Sequence, residues 1–172
     1  MTIVLIGYRG SGKTTVGRLL SAHLTQPFKD SDEQITTTTG MTIKEIFEQH
    51  GEEHFRDLET AAILQLAPLQ NHVLSLGGGA LLREQNRRAI LAPKHTIIYL
   101  HADPVELHRR IHQDTATAAH RPSLTRLGGG IEEIRSVLTT REPIYRQVMS
   151  AEIDVTHASP EQALEMILKL IH

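Results

Sequence analysis

Neither cysteine nor tryptophan occurs among the 172 residues, and phenylalanine and tyrosine number three each. Without cysteine there is no disulfide scaffold, no thiolate zinc site and no cysteine nucleophile. Scarce aromatics leave a core of leucine, isoleucine, valine and alanine, which suits buried parallel strands covered by amphipathic helices. An excess of either charge is also missing: 18 Lys+Arg stand against 20 Asp+Glu, a formal net charge of −2. That balance argues against a nucleic-acid binder, in which a basic excess is the rule. No apolar run approaches the ~20 residues that span a bilayer. The apolar opening Met1–Gly7 is too short for a secretory signal and lacks its basic lead. The expectation is a soluble cytoplasmic protein with no membrane or nucleic-acid partner. At this length a single domain over residues 1–172 buries roughly 70% of its unfolded surface.

Strand and helix patterns alternate along the chain. Thr2–Ile6, Phe28–Asp30, Val73–Leu76, Thr96–Leu100 and Glu152–Val155 read as five short strands, two of them closed by glycine. Lys13–Leu24 reads as a helix with Val16, Leu19, Leu20 and Leu24 on one face. Thr42-Ile-Lys-Glu45 spells a capping box, opening a helix that Gly51 interrupts and Glu52–Leu66 continues. Asp103-Pro104 and Ser159-Pro160 are further helix starts, and another helix begins near Ile131 after Gly128-Gly129-Gly130. Such alternation predicts an α/β fold, a three-layer α/β/α arrangement around a central five-stranded parallel sheet. The stretch 112–126 lacks apolar periodicity and carries Arg121-Pro122, which marks a candidate lid.

The strongest motif is Gly7-Tyr-Arg-Gly10-Ser11-Gly12-Lys13-Thr14, a full match to G-x-x-x-x-G-K-[ST] between a strand and a helix. Its glycines let backbone N–H groups converge on phosphate oxygens, and the following helix adds its positive end. Lys13 suits the β- and γ-phosphates, and the Thr14 hydroxyl suits Mg²⁺. Gly10 to Thr15 therefore form the candidate nucleotide cradle. Asp30 and Asp32, at strand-like spacing, would share one face. Beside a phosphate cradle they supply what phosphoryl transfer needs, a carboxylate for the metal shell and one for the acceptor hydroxyl. Arg56 reads on spacing alone as a surface helix arginine paired with Glu52 or Glu59. Gly77-Gly78-Gly79, directly after a strand, is either a turn or a place of close approach to a ligand. His50/His54 and His108/His112 stand at i,i+4, a metal-compatible spacing with no evident third ligand.

Taken together, these residues resemble the shikimate kinase family, over nearly the whole chain. The P-loop with Thr15-Val-Gly17-Arg18, Asp30-Ser-Asp32, Phe55-Arg56-Asp-Leu-Glu59, Gly77-Gly78-Gly79-Ala80, Arg121-Pro122 and Arg141-Glu-Pro143-Ile-Tyr145 each match one of its motifs in order. The lid reads Arg121-Pro122-Ser123-Leu124 where the family usually writes R-P-L-L, and the stretch between Arg110 and Arg121 is long.

The resemblance implies a P-loop NTPase of the nucleoside monophosphate kinase-like fold that moves the ATP γ-phosphoryl group to the 3-hydroxyl of shikimate. It implies that Asp32, Arg56, Gly77, Gly78, Gly79 and Arg141 hold shikimate, over a segment of about residues 31–62 plus the glycine strip. The two arginines would clamp the carboxylate, with Glu59 holding Arg56 in place. Asp30 would reach Mg²⁺ alongside Thr14, Arg110 and the loop near His157–Pro160 would flank the adenine, and Arg121 would swing onto the ATP phosphates. Lys13, Asp32 and Arg121 are the implied catalytic residues and a monomer the implied state. An ordinary aspartate, with a pKa of about 3.9, is a weak base for an alcohol, which leaves Asp32 as base or as orienter. A gluconate- or nucleoside monophosphate-type kinase, or a nucleotide-binding protein without turnover, stays open from the residues alone.

Overall fold

The computed structural model describes residues 1–114 and 130–171. At its centre β1 (Ile3–Ile6) is buried at every position. Ile3 and Leu5 face one apolar core while Val4 and Ile6 face another, so the strand reads as an unbroken apolar run. Around it lie β2 (Phe28–Asp30), β3 (Val73–Ser75), β4 (Thr96–His101) and β5 (Ala151–Asp154). All pairings are parallel, in the order β2-β3-β1-β4-β5. Leu5 stands opposite Ser75 on one side and Ile98 on the other. The strand ends differ from the sequence reading by about a residue, since ladder bonds rather than apolar runs define them.

Seven helices are present among the described residues: α1 (Lys13–Leu24), α2 (Ser31–Thr39), α3 (Ile43–Leu66), α4 (Glu84–Leu91), α5 (Pro104–Gln113), α6 (Ile131–Val148) and α7 (Pro160–Ile171). Val16 and Leu20 of α1, Leu107 of α5 and Ile167 of α7 cover one face of the sheet. Ile63 and Leu66 of α3 and Ile90 of α4 cover the other. Helix α6 reaches both cores, through Ile134 and Leu138 on one and Tyr145 and Val148 on the other. The architecture is the predicted α/β/α sandwich.

The Thr42 capping box forms: Thr42 Oγ1 accepts from Glu45 N at 3.2 Å, and Glu45 Oε2 accepts from Thr42 N at 2.7 Å. Helix α3 then runs through Gly51, where φ of 83° puts a break that a β-carbon would resist. Gly130, last of the second glycine triplet, is the residue that opens α6. A third, small core joins Ile35 of α2 to Ile43, Ile46, Phe55 and Ala62 of α3. Among the described residues no helix is long and apolar enough to cross a membrane.

Helix α2 corrects the reading of Asp30 and Asp32. The strand stops at Asp30, whose Oδ1 accepts from the backbone N–H groups of Asp32 (2.9 Å) and Glu33 (3.4 Å) as a helix N-cap. Asp32 is thus in the first turn of a helix, and the two carboxylates do not share a strand face. An aspartate at a strand end competes for the following N–H groups, which starts a helix where period-two spacing predicts extension.

Candidate active site

The site gathers at the carboxyl ends of β1, β2 and β3, where the chain order in the sheet reverses around β1. The first loop curls through Gly10 and Gly12, at φ of 83° and 89°, the left-handed region that favours glycine. Lys13, at the start of α1, is 8% exposed. Its ammonium donates to Gly7 O at 2.9 Å, Tyr8 O at 2.8 Å and Ser11 Oγ at 3.4 Å. Those oxygens hold one positive charge inside the curl.

Thr14 Oγ1 donates to Asp30 Oδ2 at 2.9 Å. A hydroxyl and a carboxylate are hard oxygen donors, and at this separation they suit a small divalent cation such as Mg²⁺. Next along, Ser31 Oγ accepts from Gly77 N at 2.8 Å, which joins the start of α2 to the glycine strip after β3.

Arg56 makes both pairings that its spacing offers, but not on the surface. It is 7% exposed and Glu59 is 1% exposed. Nη1 donates to Glu59 Oε2 at 2.8 Å and Nη2 to Glu52 Oε1 at 3.3 Å. Burial pushes the Glu59 carboxyl up, and Arg56 opposes the shift by charge and hydrogen bond. Both side chains reach the glycine strip. A β-carbon on Gly77 would lie 2.5 Å from Asp32 Oδ1, and one on Gly79 would collide with the Arg56 guanidinium. Arg141 of α6 arrives from the far side, beside Gly78.

These groups line a cleft bounded by Asp32, Arg56, Arg141 and the glycine strip on its polar side and by Ile43, Phe47 and Phe55 on its apolar side. A second cleft adjoins it along the phosphate loop, lined by Lys13, Thr14, Thr15, Asp30 and Arg110 among others. Arg9, Asp32, Gly77 and Gly78 border both. Arg110 donates to Glu106 Oε1 at 2.7 Å and to the Val155 and Thr156 carbonyls at 2.6 and 3.2 Å. With Ala158, Ser159 and Pro160 it edges a further hollow beside Gly12 and Thr15.

The structure therefore brings Gly10, Gly12, Lys13, Thr14, Thr15, Asp30, Asp32, Arg56, Gly77–Gly79, Arg110 and Arg141 to two adjoining clefts, while Ser11 is buried and edges only the hollow beside Pro160. Arg121 and most of the expected lid lie outside the described residues. Arg9 and Phe47 border the clefts although sequence reasoning missed them. Arg9 is an unspecified position of the phosphate-loop motif, and Phe47 reads as one more apolar position of α3. Tyr145 was matched to a motif without a role; its hydroxyl donates to Gly78 O. The histidine pairs are ring neighbours, with His112 Nδ1 also 2.9 Å from His108 O, and among the described residues no group of three potential ligands forms a metal site.

Residues 9–172 match the family model described as shikimate kinase. The chain belongs to the shikimate kinase family. It is 41% identical over 167 residues to the shikimate kinase of Rhodopirellula baltica, covering 97% of this chain and 88% of that relative. Against the shikimate kinase of Neisseria meningitidis serogroup C it is 39% identical, covering 97% of this chain and 94% of the other. The solved shikimate kinase from Acinetobacter baumannii in complex with shikimate aligns with a TM-score of 0.88 at 36% identity, over 99% of this chain and 92% of that one.

Proposed function

We propose that this chain transfers the γ-phosphoryl group of ATP to the 3-hydroxyl of shikimate, giving shikimate 3-phosphate and ADP. The observation that carries the reading is the pair of adjoining clefts: one holds a phosphate-binding loop, the other two arginines and an aspartate, and Asp32 borders both. A small polyhydroxylated acid matches the second cleft. Arg56 and Arg141 present guanidinium forks to its carboxylate, a charge-assisted and directional contact. Phe47 and Phe55 cover the ring's apolar edges.

Asp32 orients the acceptor hydroxyl toward the phosphate loop and takes its proton as the oxygen bonds to phosphorus. The bond from the γ-phosphorus to its bridging oxygen breaks, and ADP leaves with that electron pair. Lys13 and the lid's Arg121 offset charge on the moving group, because a loose transition state needs placement and neutralisation more than covalent help. Thr14 and Asp30 are the residues that would hold Mg²⁺, which supplies further neutralisation of the phosphates. Arg110 and residues 158–160 edge the nucleotide base. We assign the whole chain to a single kinase domain, with residues 31–62 as the acceptor segment and 112–126 as the lid. All these groups come from one chain, so a monomer suffices, and the setting is the cytoplasm.

A coupled ADP-release assay with shikimate, gluconate and nucleoside monophosphates tests the proposal. Shikimate should be the one acceptor turned over; turnover of another instead of shikimate overturns it. Lys13→Ala should lower kcat about 10²- to 10³-fold, the usual effect of removing one preorganised transition-state contact. Near-normal turnover would remove the phosphate loop from the mechanism.

A further inference from the structure

Tyr145 lines neither cleft and is 2% exposed. Its ring packs against Tyr99 with centroids 5.0 Å apart. Its hydroxyl donates to the Gly78 carbonyl, and Arg141 rests against the same glycine, its Nη1 3.3 Å from where a β-carbon on Gly78 would lie. Arg141 and Tyr145 stand at i,i+4 on α6 and so share one face of the helix. Two groups that border the acceptor cleft, Gly78 from the strip after β3 and Arg141 from α6, therefore meet at a peptide that Tyr145 holds.

We propose that Tyr145 is a positioning residue for the acceptor's carboxylate, its hydroxyl fixing the Gly78 peptide against which the Arg141 fork rests. The inference rests on the reading of Arg141 as half of the carboxylate clamp. Ring packing alone does not call for the oxygen. A phenylalanine would fill the same volume against Tyr99, and a buried hydroxyl is unfavourable unless it is bonded. Here its donor direction is used by the Gly78 carbonyl. Arginine has many rotamers, and an unanchored fork must be ordered when the ligand arrives. Anchoring it in advance removes that cost from binding. The trans peptide does the rest: with the Gly78 carbonyl turned to Tyr145, the Gly79 N–H is directed the opposite way. Burial pushes the Tyr145 phenol up to about 12, so the hydroxyl stays a donor throughout the neutral range.

Tyr145→Phe tests the inference by steady-state kinetics, alone and combined with Arg141→Met. The single variant should lower kcat/KM for shikimate about tenfold, mainly through KM, which is the scale of one buried hydrogen bond. The KM for ATP and the thermal midpoint should stay near wild type. In the Arg141→Met background, Tyr145→Phe should add less than a twofold loss, because the group it places is gone. An unchanged shikimate KM overturns the inference, and so does a full tenfold loss that persists without Arg141. A matching rise in the ATP KM also overturns it, since that marks general loosening. If the unsubstituted enzyme fails to phosphorylate shikimate, the acceptor reading itself falls and the inference with it; if it succeeds, the variants decide on Tyr145 alone.

Discussion

At Arg56 one side chain serves a ligand and a carboxylate at once, and the two duties separate experimentally. Burial raises the Glu59 carboxyl and Arg56 pulls it back, so Arg56→Ala must raise it further. A carboxyl whose folded pKa lies above its unfolded one loses stability as pH climbs through the folded value. The variant's deficit should therefore be small near pH 5 and grow toward pH 8, reaching about 3 kcal/mol, the cost of stripping one partner from a buried pair. Urea titrations at the two pH values measure it, and equal deficits would contradict the coupling. Independently, the KM for shikimate should rise at least tenfold; an unchanged KM would remove Arg56 from the clamp. At this scale the site was legible where a motif fixes residue types at short spacing, as in Gly10–Thr15 or Arg56 with Glu59. Burial was not legible: spacing alone made Arg56 a surface residue, and only the packing of α3 on the glycine strip shows that it is enclosed. Tyr145 and Gly78 lie 67 residues apart, and no local pattern announces their bond.

Among the elements, the strands and long helices announced themselves because each buries a periodic or continuous apolar set. Helices α2 and α4 did not. Helix α2 offers one apolar residue, Ile35, followed by four threonines of low helix propensity, and it exists because Asp30 caps it and α3 receives its single buried side chain. Helix α4 is eight residues long and buries only Asn86 and Ile90. What α4 does is hold the end of the glycine strip: Asn86 Nδ2 donates to Ala80 O at 2.8 Å, and Arg87 Nη1 to Leu81 O and Leu82 O at 2.7 and 2.8 Å. The strip is thus fixed from both ends and cannot yield easily to a new side chain. Gly79→Ala should push the Arg56 guanidinium aside and raise the shikimate KM about tenfold or more, leaving the ATP KM within twofold. Fluorescent-nucleotide binding alongside acceptor kinetics checks both halves. Equal damage to both substrates would mean that the strip serves the whole cleft floor.

For the molecule as a whole, acid should act through α5. Hydrogen bonds from Arg109 and Arg110 hold the Glu106 carboxyl down to about 2, against an ordinary value of 4.5. A depressed carboxyl contributes stability that is present above the unfolded pKa and lost as pH falls toward the folded one. Glu106→Gln should accordingly flatten the fall in stability between about pH 4.5 and 2. It should also raise the ATP KM, since Glu106 braces Arg110 against the Val155 and Thr156 carbonyls just after β5. Chemical denaturation across that pH range reads the first effect, and a slope unchanged from wild type would refute it. The molecule also divides its apolar interior unequally. Two cores grip the sheet, while Ile35, Ile43, Ile46, Phe55 and Ala62 form a third that touches the acceptor cleft through Ile43 and Phe55. Exchanges within this small core reshape the wall around the acceptor and leave the packing beneath the phosphate loop as it was. A lineage can in this way try new alcohols while its nucleotide chemistry stays intact, because drift in one compartment is not felt in the other.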